Sequence, residues 1–215
     1  MTDQTAPLHD LKVGDFLDAL ASGAPAPGGG AAAALTGAMA AALVAMVGGL
    51  TVGREKYREV ESRMQAARER ATVARANFLL LADRDQGAFR SVMAAYALPK
   101  GTEEEKAARQ AAIQEALKEA TRVPLSTLQQ ALEILPDALD VIEHGNANAR
   151  SDGASGYFLA QAALDGALLN VKINLETIKD EGFRQATREQ VGQALKERRA
   201  QGERAAALMA RFFPD

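Results

Sequence analysis

Two short segments carry the residue types that proton transfer and polar recognition need. Asp83-Arg84-Asp85-Gln86-Gly87-Ala88-Phe89 places two carboxylates two residues apart. On a helix such residues point roughly a third to a half turn apart, so one can face inward while the other is solvated. An inward carboxylate among apolar neighbours has a raised pKa and can serve as general acid or base. The same spacing also suits two surface acids beside Arg84. Leu168 to Leu175 sets Asn170 and Asn174 one turn apart on an otherwise apolar stretch. Amides there need partners. The partner is either the donor–acceptor edge of a polar heterocycle, or another amide or backbone group across a helix contact.

Three further features are candidates for holding a ligand. Ala24-Pro25-Ala26-Pro27 leads into Gly28, Gly29 and Gly30 at the start of a helix. Without a Cβ, another backbone or a ligand can come close there, and the first N–H groups of the helix have no intrahelical partner. Arg54 and Lys56 can meet a carboxylate tail or form a solvated basic turn. Gly145-Asn146 and Ser151-Asp152-Gly153 form a polar loop that can orient a ligand or simply cap a helix. His144 suits the C-terminal charge of a helix.

Helices must position all of these. Val13–Ala21 is a short helix with Val13, Phe16, Leu17 and Leu20 on one face. The Ala/Gly segment predicts a helix from about Ala31 to Val52, buried on most sides because no charge occurs between Ala19 and Gly53. Its internal Gly37, Gly48 and Gly49 imply close packing, since each costs up to ~1 kcal/mol against Ala if exposed. A charged amphipathic helix follows, about Glu55 to Ala97, ended by Pro99-Lys100-Gly101. Thr102-Glu103-Glu104-Glu105 reads as a capping box opening a helix to about Thr121. Pro124 is expected in the first turn of another helix, which Pro136 kinks or divides. Ser151-Asp152 is expected to cap a helix reaching Lys179. Thr187 to Gln190 is a possible second capping box, for a last helix ending near Phe212. The fold class is all-α: one single-domain helical bundle with a buried Ala/Gly-rich central helix.

Composition narrows the function. A formal net charge of -3, with acids and bases interspersed, argues against a nucleic-acid binder. The absence of cysteine removes thiol nucleophiles and thiolate metal sites, and His9 and His144 alone make a poor metal centre. The polar, acidic Met1–Asp10 is unlike a signal peptide, so a cytoplasmic location is expected. The uncharged segment is long enough to cross a bilayer, but its Ala and Gly drive insertion weakly. A buried helix, and no membrane partner, is the expectation.

Taken in order, these pieces resemble the cyclodeaminase/cyclohydrolase family of folate enzymes. The resemblance rests on Ala26-Pro27-Gly28-Gly29-Gly30, Leu50 to Tyr57, Asp85 to Phe89, Leu98-Pro99-Lys100, Val123-Pro124-Leu125, Gly145-Asn146, Ser151-Asp152 and Asn170-Val171-Lys172-Ile173-Asn174. It implies an all-helical homodimer with folate sites near the subunit interface, and a catalytic carboxylate at Asp85. The family's motif carries a Glu two residues after that Asp; here Gly87 stands in its place. The expected activity is hydrolysis of 5,10-methenyltetrahydrofolate to 10-formyltetrahydrofolate, with no metal or redox cofactor. Gly28, Gly29, Gly30, Asn146, Ser151, Asp152, Asn170 and Asn174 are the expected substrate contacts, and Arg54 and Lys56 the partners of the glutamate tail. The alternatives are formiminotetrahydrofolate cyclodeamination and, from another class, a non-catalytic helical interaction protein.

Overall fold

The computed structural model describes residues 7–214. Most of the Met1–Asp10 segment read for a leader therefore lies outside the described residues. Among those residues the chain forms six α-helices and no strand: α1 (Val13–Ala21), α2 (Gly29–Thr51), α3 (Glu61–Tyr96), α4 (Glu103–His144), α5 (Arg150–Leu175) and α6 (Glu181–Phe212).

The apolar α2 is the axis of the bundle. It packs against α3 and α5, and less extensively against α4. Its glycines are notches for neighbours: a Cβ on Gly37 would stand 2.5 Å from the Phe78 ring, and one on Gly48 would stand 2.9 Å from Arg68 Cβ. The contact order Gly30 to Asp85, Gly37 to Phe78 and Gly48 to Arg68 makes α3 antiparallel to α2. Gly166 beside Ala33 and Gly156 beside Ala40 make α5 antiparallel as well. Phe78, Leu128, Leu135, Leu139 and Leu164 fill the core with no solvent exposure. α2 is long and apolar enough to cross a membrane, but over half of its most apolar stretch is buried by these partners. α1 differs: Phe16 and Leu20 are half-buried, while Val13 and Leu17 of the same face remain exposed.

The Thr102 capping box forms as expected, Thr102 Oγ1 accepting from the Glu105 N–H at 3.1 Å. Other boundaries need correction. No break occurs at Pro124 or Pro136, and both lie inside the continuous α4. Pro124 cannot give the N–H that the Ala120 carbonyl expects; Asn174 of α5 donates to that carbonyl instead, at 2.7 Å. Ser151 and Asp152 do not cap α5. They lie in its first turn, after Ala149, and the helix ends at Leu175 rather than Lys179. Thr187 opens no helix: its hydroxyl bonds back to the Phe183 carbonyl at 2.8 Å, the habit of threonine inside a helix. Asp180 is the true cap of α6, accepting from the Phe183 N–H at 3.0 Å. Glu55–Val60 is a separate 3-10 turn ahead of α3.

Candidate active site

The α2 N-terminus is where chemistry-bearing groups converge. The carboxyl of Asp85, on α3, lies directly over Gly30. A Cβ built on Gly30 would sit 2.6 Å from Asp85 Cγ and 2.7 Å from Oδ2, with Oδ1 closer still. Only glycine admits this approach. Asp85 accepts a hydrogen bond from the Ala31 backbone N–H, one of the donors a helix start leaves free. Burial nonetheless dominates and raises the Asp85 pKa above the ordinary carboxylate value. The Ala31 bond opposes that rise without cancelling it. On the other side, the Cβ position of Gly29 is 3.4 Å from Asn170 Nδ2. Asn170 donates to the Gly166 carbonyl of its own helix at 2.9 Å. A carboxyl with a raised pKa, the backbone N–H groups of a helix start and a side-chain amide thus share one end of the bundle.

Asp83 faces elsewhere. Its carboxylate accepts from the Leu8 N–H at 2.6 Å and pairs with His9 Nδ1 at 2.5 Å. It anchors the segment leading into α1, with Leu8 buried beneath. Asn174 is one turn beyond Asn170, its Nδ2 committed to Ala120. His144 ends α4, with its ring 3.6 Å from Glu143.

The remaining sequence candidates lie at the opposite end of α2. Asn146 is buried there, its backbone N–H donating to Thr51 Oγ1 at 2.9 Å and its Nδ2 to the Leu50 carbonyl at 3.0 Å. Tyr57 accepts from the Ala147 N–H at 3.0 Å. Arg54 and Lys56 are exposed in the adjoining turn, and Ser151 and Asp152 begin α5 nearby. α2 has 23 residues, so its ends are about 33 Å apart at 1.5 Å per residue. One subunit does not bring Asp85 and Arg54 together.

Two relationships were not expected from sequence. The tight approach falls on Gly30 and not Gly29, which three identical residues in a row cannot reveal. Asn174 also answers Pro124, and the available signal was a carboxamide on an apolar helix together with a proline inside a helical pattern.

Among the described residues no three His, Asp or Glu are grouped to hold a metal ion. The fold and this cluster define the class: an all-α bundle with a half-buried carboxyl set on a glycine-lined helix start. A sequence model described as formiminotransferase-cyclodeaminase matches residues 12–193, and the chain belongs to that family. It is 49% identical over 168 residues to a methenyltetrahydrofolate cyclohydrolase of Methylorubrum extorquens, covering 78% of this chain and 81% of that protein. It is 33% identical to a formimidoyltransferase-cyclodeaminase of Rattus norvegicus, over 90% of this chain but 36% of the rat protein. The chain thus spans about a third of that longer relative. The fold matches a crystal structure of formiminotetrahydrofolate cyclodeaminase from Thermotoga maritima with TM-score 0.83 and 33% identity, covering 94% of this chain and 96% of that one.

Proposed function

We propose that this protein is a methenyltetrahydrofolate cyclohydrolase with Asp85 as its general base and acid. The observation that carries this reading is the buried Asp85 carboxyl packed on Gly30 and Ala31, in a chain 49% identical to a cyclohydrolase. The substrate's methenyl carbon is an amidinium-like cation. Ionised Asp85 stabilises that charge and takes a proton from water as the oxygen bonds to carbon, giving a carbinolamine. The proton then passes to the departing ring nitrogen; as the C–N bond breaks, the carbinolamine hydroxyl gives its remaining proton to the now ionised Asp85, and thence to solvent, so that the C=O of 10-formyltetrahydrofolate forms with net release of one proton. A carboxyl whose pKa is raised by burial is a better proton acceptor than an ordinary one, which suits both halves of this transfer. The substrate supplies the electrophile, so no step requires a metal or redox cofactor. Gly28, Gly29 and Gly30 line the approach, Asn170 faces the pterin, and Asn174, which gives one Nδ2 hydrogen to Ala120, keeps its second N–H and its Oδ1 for a ligand.

The enzyme is proposed to work as a cytoplasmic homodimer, without a membrane or nucleic-acid partner. Met39, Met46 and Leu50 of α2 and Phe158, Leu169 and Ile173 of α5 are all exposed. Neighbouring elements bearing such a row suit association. A two-fold pairing buries the same patch on both copies. With the α2 helices antiparallel across the axis, the end bearing Arg54 and Lys56 comes beside the partner's α2 N-terminus. Each folate site would then combine Asp85 and Asn170 with Arg54, Lys56, Asn146, Ser151 and Asp152 of the partner subunit.

Cyclodeamination is the second reading, favoured by the Thermotoga structure and the animal relatives. There N10 closes on the formimino carbon and ammonia leaves, with the same carboxyl moving the proton. An absorbance assay offering each substrate separately decides between them. Turnover of neither would refute the assignment, and would favour a non-catalytic helical interaction protein, although that role leaves the buried Asp85 unexplained.

A further inference from the structure

A groove of about 420 Å³ runs between α5 and α6, away from the Asp85 cluster. Val171, Leu175 and Val191 supply apolar lining; Lys172, Arg184 and Arg188 supply cations, and Glu176 one carboxylate. The neighbouring depression on α5 also touches Lys172 and Glu176, and includes Asn170. The two hollows lie side by side, with Lys172 and Glu176 as shared walls between the amide beside Gly29 and the α6 guanidiniums.

The charges along these hollows are incompletely matched. Glu181 serves both arginines, at 2.7 Å from Arg184 Nη1 and 3.2 Å from Arg188 Nη1. One carboxylate against two guanidiniums leaves a surplus positive charge on α6. Lys172 forms no ion pair among the described residues. Arg184 Nε is buried and has no hydrogen-bond partner. A buried unmet donor is uncommon and costly, and it belongs to a residue that lines the groove.

We propose that this groove is the subsite for the outer γ-linked glutamates of the folate substrate's tail. It rests on the folate reading above. Such a tail alternates methylene pairs with carboxylates, which fits an apolar floor edged by three cations. The inner end of the tail is left to Arg54 and Lys56 of the partner subunit, and the outer carboxylates go to Lys172, Arg184 and Arg188.

The test compares substrates carrying one and three glutamates on wild type and on a Lys172→Gln/Arg188→Gln variant. We expect KM for the triglutamyl form to rise about three- to tenfold, the sum of two partly exposed charge contacts. The monoglutamyl KM should change much less. A Lys172→Arg/Arg188→Lys variant should restore the difference, and salt should shrink it in wild type. An equal KM ratio in wild type and the neutralised variant would overturn the proposal. Calorimetric titration with p-aminobenzoyl-triglutamate, which lacks the reacting carbon, separates this failure from that of the enzyme assignment. Weaker binding to the variant supports the groove even if neither folate is turned over, and equal binding to both proteins removes it.

Discussion

Gly30→Ala is the sharpest probe of the site, because the displacement it forces can be read from the packing. The new Cβ would stand 2.6 Å from Asp85 Cγ, against ordinary contact from 3.4 Å. Cγ must withdraw by at least about 0.8 Å, and Oδ1, which lies nearer, by more. The carboxyl is the far end of a flexible side chain, so it can swing aside without disturbing the backbone. Alanine is also the better helix former, by up to ~1 kcal/mol, so the fold should survive. A misplacement near 1 Å can cost about 10²-fold in rate. Turnover of 5,10-methenyltetrahydrofolate, followed by absorbance, should therefore fall by about that factor, with the melting temperature nearly unchanged. Gly29→Ala is the comparison: its Cβ meets Asn170 Nδ2 at 3.4 Å, an ordinary contact that displaces nothing, so any loss there should be far smaller than in Gly30→Ala. Wild-type turnover in Gly30→Ala, or an equal loss in Gly29→Ala, would refute the placement of chemistry on Asp85.

Asp85→Asn should lower turnover by roughly 10²–10⁴-fold, while Asp83→Asn should chiefly loosen the Leu8–His9 anchor and leave most turnover intact. Because burial holds the folded Asp85 pKa above its unfolded value, its stabilising contribution is present at low pH and lost as pH rises through the folded pKa; Asp85→Asn should therefore melt higher than wild type at neutral pH. The acidic limb of the rate profile should lie above the ordinary carboxylate range, since the base works only once ionised. Asn174→Leu leaves the Ala120 carbonyl without its donor, at about 1–3 kcal/mol, or roughly 2–7 °C in melting temperature for a chain of this size; in a Pro124→Ala background, where the helix supplies its own N–H, the loss should largely vanish. Ile173→Glu should give monomers by light scattering and abolish turnover, and activity persisting in a monomer would remove the shared-site reading.

What could be read from the sequence was local. The Thr102 capping box, the α1 boundaries and the burial of α2 depend on residues within a few positions of one another, and each is realised as expected. Errors arose where a distant residue answers a local signal. Pro124 reads as a helix boundary because its own segment cannot replace the lost hydrogen bond; the replacement comes from Asn174, in another helix. Thr187 carries the spacing of a cap, but Asp180 had already opened the helix. Residue type and spacing nominate Asp83 and Asp85 alike, and only the family resemblance singles out Asp85; what separates the two side chains physically, the contacts with Gly30 and with Leu8, lies in distant segments.

Adjacency along the chain misled most at the proposed tail site. Arg54 follows the Gly-rich helix in sequence, yet a helix of 23 residues carries it about 33 Å from Gly29. No side chain bridges that span. If Arg54 and Lys56 do meet a ligand bound at Asp85, they must come from a second copy, across the face where Met46 and Ile173 are exposed. Complementation makes this decisive. Asp85→Asn and Arg54→Glu/Lys56→Glu chains, each impaired alone, should regain activity when mixed after dissociation, because one of the two sites in a heterodimer is then free of both lesions. Random pairing places about half of all dimers in that state, each with one intact site, so recovery should approach a quarter of wild-type turnover per dimer. Failure to recover above the activity of either variant, with subunit exchange verified, would place the two groups in separate roles.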